Sequence, residues 1–143
     1  MEYKKGLIGM LIIVNILLSV YLIYLDITKQ EGLCLTGQGC KIVRESPYNK
    51  LFGIPLAWFG LLSFSLFLAV FIADYYKKIP KYILPTISLI GAFYAIYFLS
   101  IQAFLIGAFC STCIAADSIA LILAVLIWHD YYKYGHIKQI KRR

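Results

Sequence analysis

Charge is scarce in this sequence. Asp, Glu, Lys and Arg make up 15% of its 143 residues, against about 25% in ordinary soluble domains. With 62% hydrophobic residues and a mean hydropathy of +0.79, the composition excludes a disordered chain and disfavours a soluble globular one. Internal repeats, low-complexity tracts and Ser/Gly-rich linkers are missing, and the length suits one domain, not two. Four cysteines are too few for a mini-domain built on disulfides. The net charge of +7 does not signal a nucleic-acid binder, because the basic residues are parcelled out between long apolar runs.

Those runs are what the chain has in abundance. Gly6–Leu25 is 20 residues without a charge and Leu51–Ala73 is 23. About 20 apolar residues in an α-helix cross a hydrocarbon core of ~30 Å. Tyr82–Ala116 is 35 uncharged residues, which as one helix would be ~52 Å, too long for a single crossing. A further apolar stretch runs from Asp117 to Trp128. The sequence therefore predicts an all-α integral membrane protein. It is a four-transmembrane-helix bundle with spans at about 6–25, 51–73, 82–106 and 109–128, and residues 1–143 form a single membrane domain. A tight turn is expected near Gly107 and an extracytoplasmic loop between helices 1 and 2. The first run reads as a retained span. Its apolar core is long for a signal peptide, and Tyr24-Leu25-Asp26 is no small-residue cleavage site.

The basic residues give the orientation. Lys4, Lys5, Lys77, Lys78, Lys81, Lys133, Lys138, Lys141, Arg142 and Arg143 fall on one side of such a bundle, and Lys29, Lys41, Arg44 and Lys50 on the other. Ten against four predicts a plasma-membrane protein with both termini cytoplasmic and the Asp26–Lys50 loop facing outward. The basic tail is first an orientation signal, and contact with anionic lipid is its second reading. Tyr75, Tyr76, Tyr131 and Tyr132 read as an aromatic belt at the inner interface. Trp58, Phe59, Phe93, Tyr94, Tyr97, Phe104 and Phe109 are candidates for lining an apolar pocket, although packing and lipid contact are the commoner uses of span aromatics.

The cysteines fall in two close pairs. Cys34-Leu-Thr-Gly-Gln-Gly-Cys40 lies in the outward loop, where Gly37 and Gly39 let the chain bend back to close a small ring. Cys110-Ser-Thr-Cys113 opens the fourth span, which by the same topology starts at the outer face. All four sulfurs thus meet on the oxidising side, where disulfides persist. At a helix N-terminus, unpaired N–H groups and the dipole favour a thiolate, the nucleophile of disulfide exchange. A purely structural loop disulfide and a pair of small buried apolar cysteines are the plainer readings. CxxC also occurs in metal sites, but no second CxxC and no His stands near it; His129 and His136 belong to the other side, so no metal is expected.

Taken in order, Cys34-x5-Cys40, Ser46, Phe52-Gly53-Ile54-Pro55 at the second span and Cys110-x-x-Cys113 at the last resemble the vitamin K epoxide reductase family in its short bacterial or archaeal form. The likeness covers nearly the whole chain. The DsbB type of quinone-linked thiol oxidase carries its CxxC in the first outward loop, and this chain carries it at the second outward junction. The resemblance implies a relay. A thioredoxin-like, DsbA-like partner would exchange with Cys34, Cys40 would form the interloop disulfide with Cys110, and Cys113 would face a quinone such as ubiquinone or menaquinone. It places Ser46 and Asn49 near the quinone. Ser46-Pro47 also reads simply as an N-cap followed by Pro at N1. Vertebrate members carry tyrosine four residues after the CxxC, and here Asp117 stands there. On a helix it shares a face with Cys113, either giving a proton or hydrogen bond to the quinone or tilting toward interfacial water. Two other functions fit the same sequence: a quinone or vitamin K epoxide-type reductase driven by small dithiols, and a non-catalytic helical membrane subunit with a structural loop disulfide.

Overall fold

The computed structural model of the chain describes residues 2–29, 38–51 and 53–140. Five helices dominate it: α1 (Glu2–Thr28), α2 (Gly39–Glu45), α3 (Leu56–Tyr75), α4 (Ile83–Ser100) and α5 (Ser111–Ile140). A 3-10 turn, Pro47–Asn49, and two minimal strands, β1 (Lys50–Leu51) and β2 (Ile54–Pro55), lie between α2 and α3. A π-helical turn, Ile101–Ile106, extends α4.

Four of these helices are long and apolar enough to cross a membrane, over Tyr3–Thr28, Leu56–Tyr75, Ile83–Ile106 and Ser111–Lys133. Large apolar side chains on their outer faces, among them Leu62, Phe93 and Val125, are exposed. In water such faces would be costly, whereas against lipid they cost nothing. The all-α four-span bundle expected from composition is the fold observed.

Span boundaries differ from the hydropathy reading in an instructive way. The second crossing starts at Leu56, not Leu51, because Lys50–Pro55 is spent on an antiparallel hairpin pairing Lys50 with Pro55 and Leu51 with Ile54. Gly53 supplies the left-handed residue of that turn (φ +82°), and Pro55, with no N–H to donate, stands at the N-cap of α3. Apolarity counts these residues as span; turn chemistry takes them out. The first helix reaches back past Gly6 to Glu2, and the fourth begins at Ser111, not 109. The turn expected near Gly107 is there: Gly107 has φ +64° and stops the π turn in the left-handed conformation.

The helices run alternately up and down. Lys5 on α1 lies over the Tyr75 ring at the far end of α3, 5.2 Å from its centroid. Lys4 Nζ sits 3.8 Å from Asp130 Oδ1 on α5. The start of α1, the end of α3 and the later part of α5 therefore share one end of the bundle, together with Tyr75, Tyr76, Tyr131 and Tyr132, all exposed. The apolar core, built from Ile8, Ile12, Phe67, Leu84, Leu123 and Ile127, fills this half. The other half, where α2 and the start of α5 lie, buries Val43, Phe98 and Cys110 but also holds a cavity.

Candidate functional site

The cavity in that half measures about 520 Å³, within the ~300–1,000 Å³ typical of small-molecule sites. Its wall is mostly apolar, with Phe59, Phe64 and Phe67 from α3 and Tyr94 and Phe98 from α4. Of the seven aromatics expected as candidates, Phe59 and Tyr94 line it. Trp58, Phe93, Tyr97, Phe104 and Phe109 are exposed and do not. Phe64, Phe67 and Phe98 take their place, a choice made by helix rotation that residue type does not reveal.

Three sulfurs border this one cavity: Cys40 from α2, and Cys110 and Cys113 from the start of α5. Cys40 is disulfide-bonded, while Cys110 and Cys113 are free thiols. Cys40 Sγ lies 3.7 Å from Ser111 Oγ, next in sequence to Cys110. Cys34 lies outside the described residues, as does Phe52. Among the described residues, no group of three or more His, Cys, Asp and Glu side chains converges as a metal site would require.

Cys110 is itself the capping residue of α5. Its carbonyl accepts from Ile114 N–H at 2.9 Å and its Sγ accepts from Cys113 N–H at 3.3 Å. The hydrogen bond from the Cys113 side chain, foremost, holds the Cys110 thiol below its ordinary pKa. Burial opposes this, and the Cys113 and Thr112 N–H groups and the Arg44 cation assist. Cys110 is only 2% exposed. Thus the sulfur favoured as a thiolate is also shielded from bulk reagents.

Arg44 was not singled out by the sequence reading. It stands four residues after Cys40, on the same face of α2, and that spacing was the signal available. Its Nη1 donates to the Leu25 carbonyl at 3.3 Å, one of the unpaired carbonyls closing α1, and its side chain lines the cavity. Asn49 and Asp117, both expected in the site, also line it. Asn49 Nδ2 donates to the Arg44 carbonyl at 3.1 Å and so ties off the end of α2. Asp117 Oδ2 is buried with no hydrogen-bond partner among the described residues. Next to it, Asn15 Nδ2 donates to the Ala116 carbonyl at 3.3 Å, and Ser19 Oγ to the Asn15 carbonyl at 2.9 Å. Counting charges along the first span passes over these neutral polar residues.

Ser46 is the expected site residue that the fold puts elsewhere. It is buried but does not line the cavity, and its Oγ accepts from Tyr48 N–H at 3.2 Å, with Pro47 at N1. It is the N-cap of the 3-10 turn, the simpler of its two readings. Ser46→Ala is expected to lower stability by about 0.5–2 kcal/mol in thermal unfolding, while the rate of thiol oxidation stays within twofold of the parent.

The order of the motifs along this geometry agrees with a family comparison. The model of the family described as "Vitamin K epoxide reductase family" matches residues 6–128. The chain belongs to the vitamin K epoxide reductase family. No curated protein matches it. Membership makes this a membrane thiol oxidoreductase of the quinone or vitamin K epoxide type. The cavity fits the electron carrier that vitamin K epoxide reductases use: a planar apolar ring needs an apolar wall, a few polar anchors and sulfur at one edge, and all three are present.

Proposed function

We propose that this protein oxidises an extracytoplasmic thioredoxin-like partner of the DsbA kind and passes the electrons through its two cysteine pairs to a membrane quinone. The observation that carries this reading is the joint placement of Cys40, Cys110 and Cys113 on one apolar cavity. In the first step the partner's thiolate attacks the loop disulfide, taken as Cys34–Cys40, at Cys34. The partner's second thiol resolves the mixed disulfide, leaving the partner oxidised and the loop pair reduced. Cys40 thiolate then attacks Cys110 of the Cys110–Cys113 disulfide and releases Cys113. Cys34 in turn attacks Cys40 and releases Cys110. The loop is again a disulfide and the CxxC a dithiol. Finally the two electrons and two protons of that dithiol pass to the quinone, giving quinol and the Cys110–Cys113 disulfide.

Ser111 beside Cys40 Sγ supports the short loop movement that Cys40–Cys110 exchange needs. Asn49 and Asp117 act as polar anchors for the quinone. The ten-to-four distribution of basic residues supports cytoplasmic termini and outward cysteines.

The test is anaerobic. The protein is fully reduced to four thiols, mixed with ubiquinone or menaquinone, and its free thiols are counted. Excess quinone should remove all four, the inner pair first; four thiols remaining would overturn the proposal. Oxidation of small dithiols combined with no oxidation of a DsbA-like protein would instead favour the small-molecule reductase.

A further inference from the structure

Gln102 is completely buried, in a span whose other residues are overwhelmingly apolar. It sits on the π-helical turn Ile101–Ile106, and such turns gather at functional sites. Its Oε1 accepts the backbone N–H of Cys110 at 3.0 Å, reaching across the Gly107 turn. Its Nε2 has no hydrogen-bond partner among the described residues. An unpaired amide donor in an apolar interior is costly, and Leu or Met would fill the same space without that cost. Packing therefore does not account for an amide here; the bond to Cys110 does.

What that bond accomplishes follows from the start of α5. Besides the Cys113 thiol and the Thr112 N–H at its sulfur, Cys110 has three points of attachment: its carbonyl to Ile114, its Sγ to Cys113 N–H, and its own N–H to Gln102. The first two come from the helix itself. The third comes from α4's extension and ties the residue to a different element, so that it resists rotation of Cys110 away from the helix terminus.

We propose that Gln102 is the positioning residue of the CxxC pair, clamping the Cys110 peptide so that its sulfur stays on the α5 N-terminus, facing Cys113 and within reach of the loop cysteine. This rests on the reading of Cys110 and Cys113 as a redox pair. Gln102 does not line the cavity, so it acts through Cys110 and not on the quinone.

Gln102→Met keeps the side chain's length and bulk and removes the acceptor. The test uses the full-length protein in detergent, reduced, with Cys110 alkylation by iodoacetamide followed against pH by peptide mass spectrometry. The charged and titratable groups around Cys110 stay in place: Cys113 and Asp117 on α5, Cys40 and Arg44 on α2, and Asp26 on α1. A thiol no longer held at the helix terminus loses thiolate character, and one pKa unit is tenfold in thiolate. The midpoint of the Cys110 alkylation profile against pH, which does not depend on access, should rise by about one unit, and kcat for quinone should fall with KM unchanged. The variant trades an unpaired Nε2 for an unpaired Cys110 N–H, so its melting temperature should stay near the parent's. If Met at this site prevents folding, Gln102→Asn, which keeps the amide but falls one methylene short, takes the same measurements. A folded variant with the parent's alkylation profile overturns the proposal. If the parent itself reduces no quinone, the relay reading fails, and the alkylation profile still decides the role of Gln102.

Discussion

Cys113→Ala is expected to reduce the rate of quinone reduction by about 10³-fold or more, the order seen when a nucleophilic centre is deleted. The reason is stoichiometric before it is geometric. Two electrons leave the inner pair only if a disulfide can close, and a lone Cys110 has nothing to close with. Cys113 borders the cavity one helical turn from Cys110, so the substitution removes the sulfur that faces the acceptor while leaving the helix start intact. Cys34→Ala should behave differently. It should abolish oxidation of a protein partner, yet the inner pair should still be reduced by a small dithiol and reoxidised by quinone. Anaerobic stopped-flow absorbance of the quinone, with and without a DsbA-like protein, separates the two. Partner oxidation at the parent's rate by Cys34→Ala would refute the proposed order of transfer.

Asp117 should show stability and activity moving in opposite directions. Its Oδ2 is buried without a partner among the described residues, inside a span and on the cavity wall. Such a carboxyl is expensive to keep. Asp117→Leu should therefore raise stability by about 1–3 kcal/mol, measured as an upward shift in thermal unfolding in detergent. The same variant should lower quinone turnover by on the order of 10²-fold, because a positioned proton donor is worth that much. Asp117→Asn distinguishes two roles. It can still hydrogen-bond a quinone oxygen but cannot supply a proton, so activity between the parent's and the Leu variant's would assign part of the effect to each. Parental turnover in Asp117→Leu would reduce Asp117 to a buried carboxyl with no part in the reaction.

Much of the fold was readable because a bilayer imposes a coarse rule. Twenty or more uncharged residues must become a helix, since unpaired backbone groups are not tolerated in hydrocarbon. Three such runs, the last too long for one crossing, gave four spans, and alternation brought the Cys40 loop and Cys110 to the same end. The same rule is blind to turn chemistry and so counts Leu51–Pro55 as span. It is also blind to neutral polar residues. Asn15, Ser19 and Gln102 carry no charge, so charge-free runs absorbed them, although each is buried and hydrogen-bonded near the sulfurs.

Residue order alone established a four-crossing membrane bundle, Cys40 and the Cys110–Cys113 pair at one end of it, and the likeness to a redox family, because hydrophobic length and motif spacing are one-dimensional quantities. Packing decided the rest. How each helix is rotated about its axis selected Phe64, Phe67 and Phe98 over Trp58 and Phe93 for the cavity. It brought Arg44 to the wall beside Asn49 and left Ser46 behind as a cap. It also carried Gln102 across a turn to the Cys110 peptide. Those choices depend on which faces meet between elements far apart in the chain, and a hydropathy pattern that is apolar on every side of a helix contains no such information.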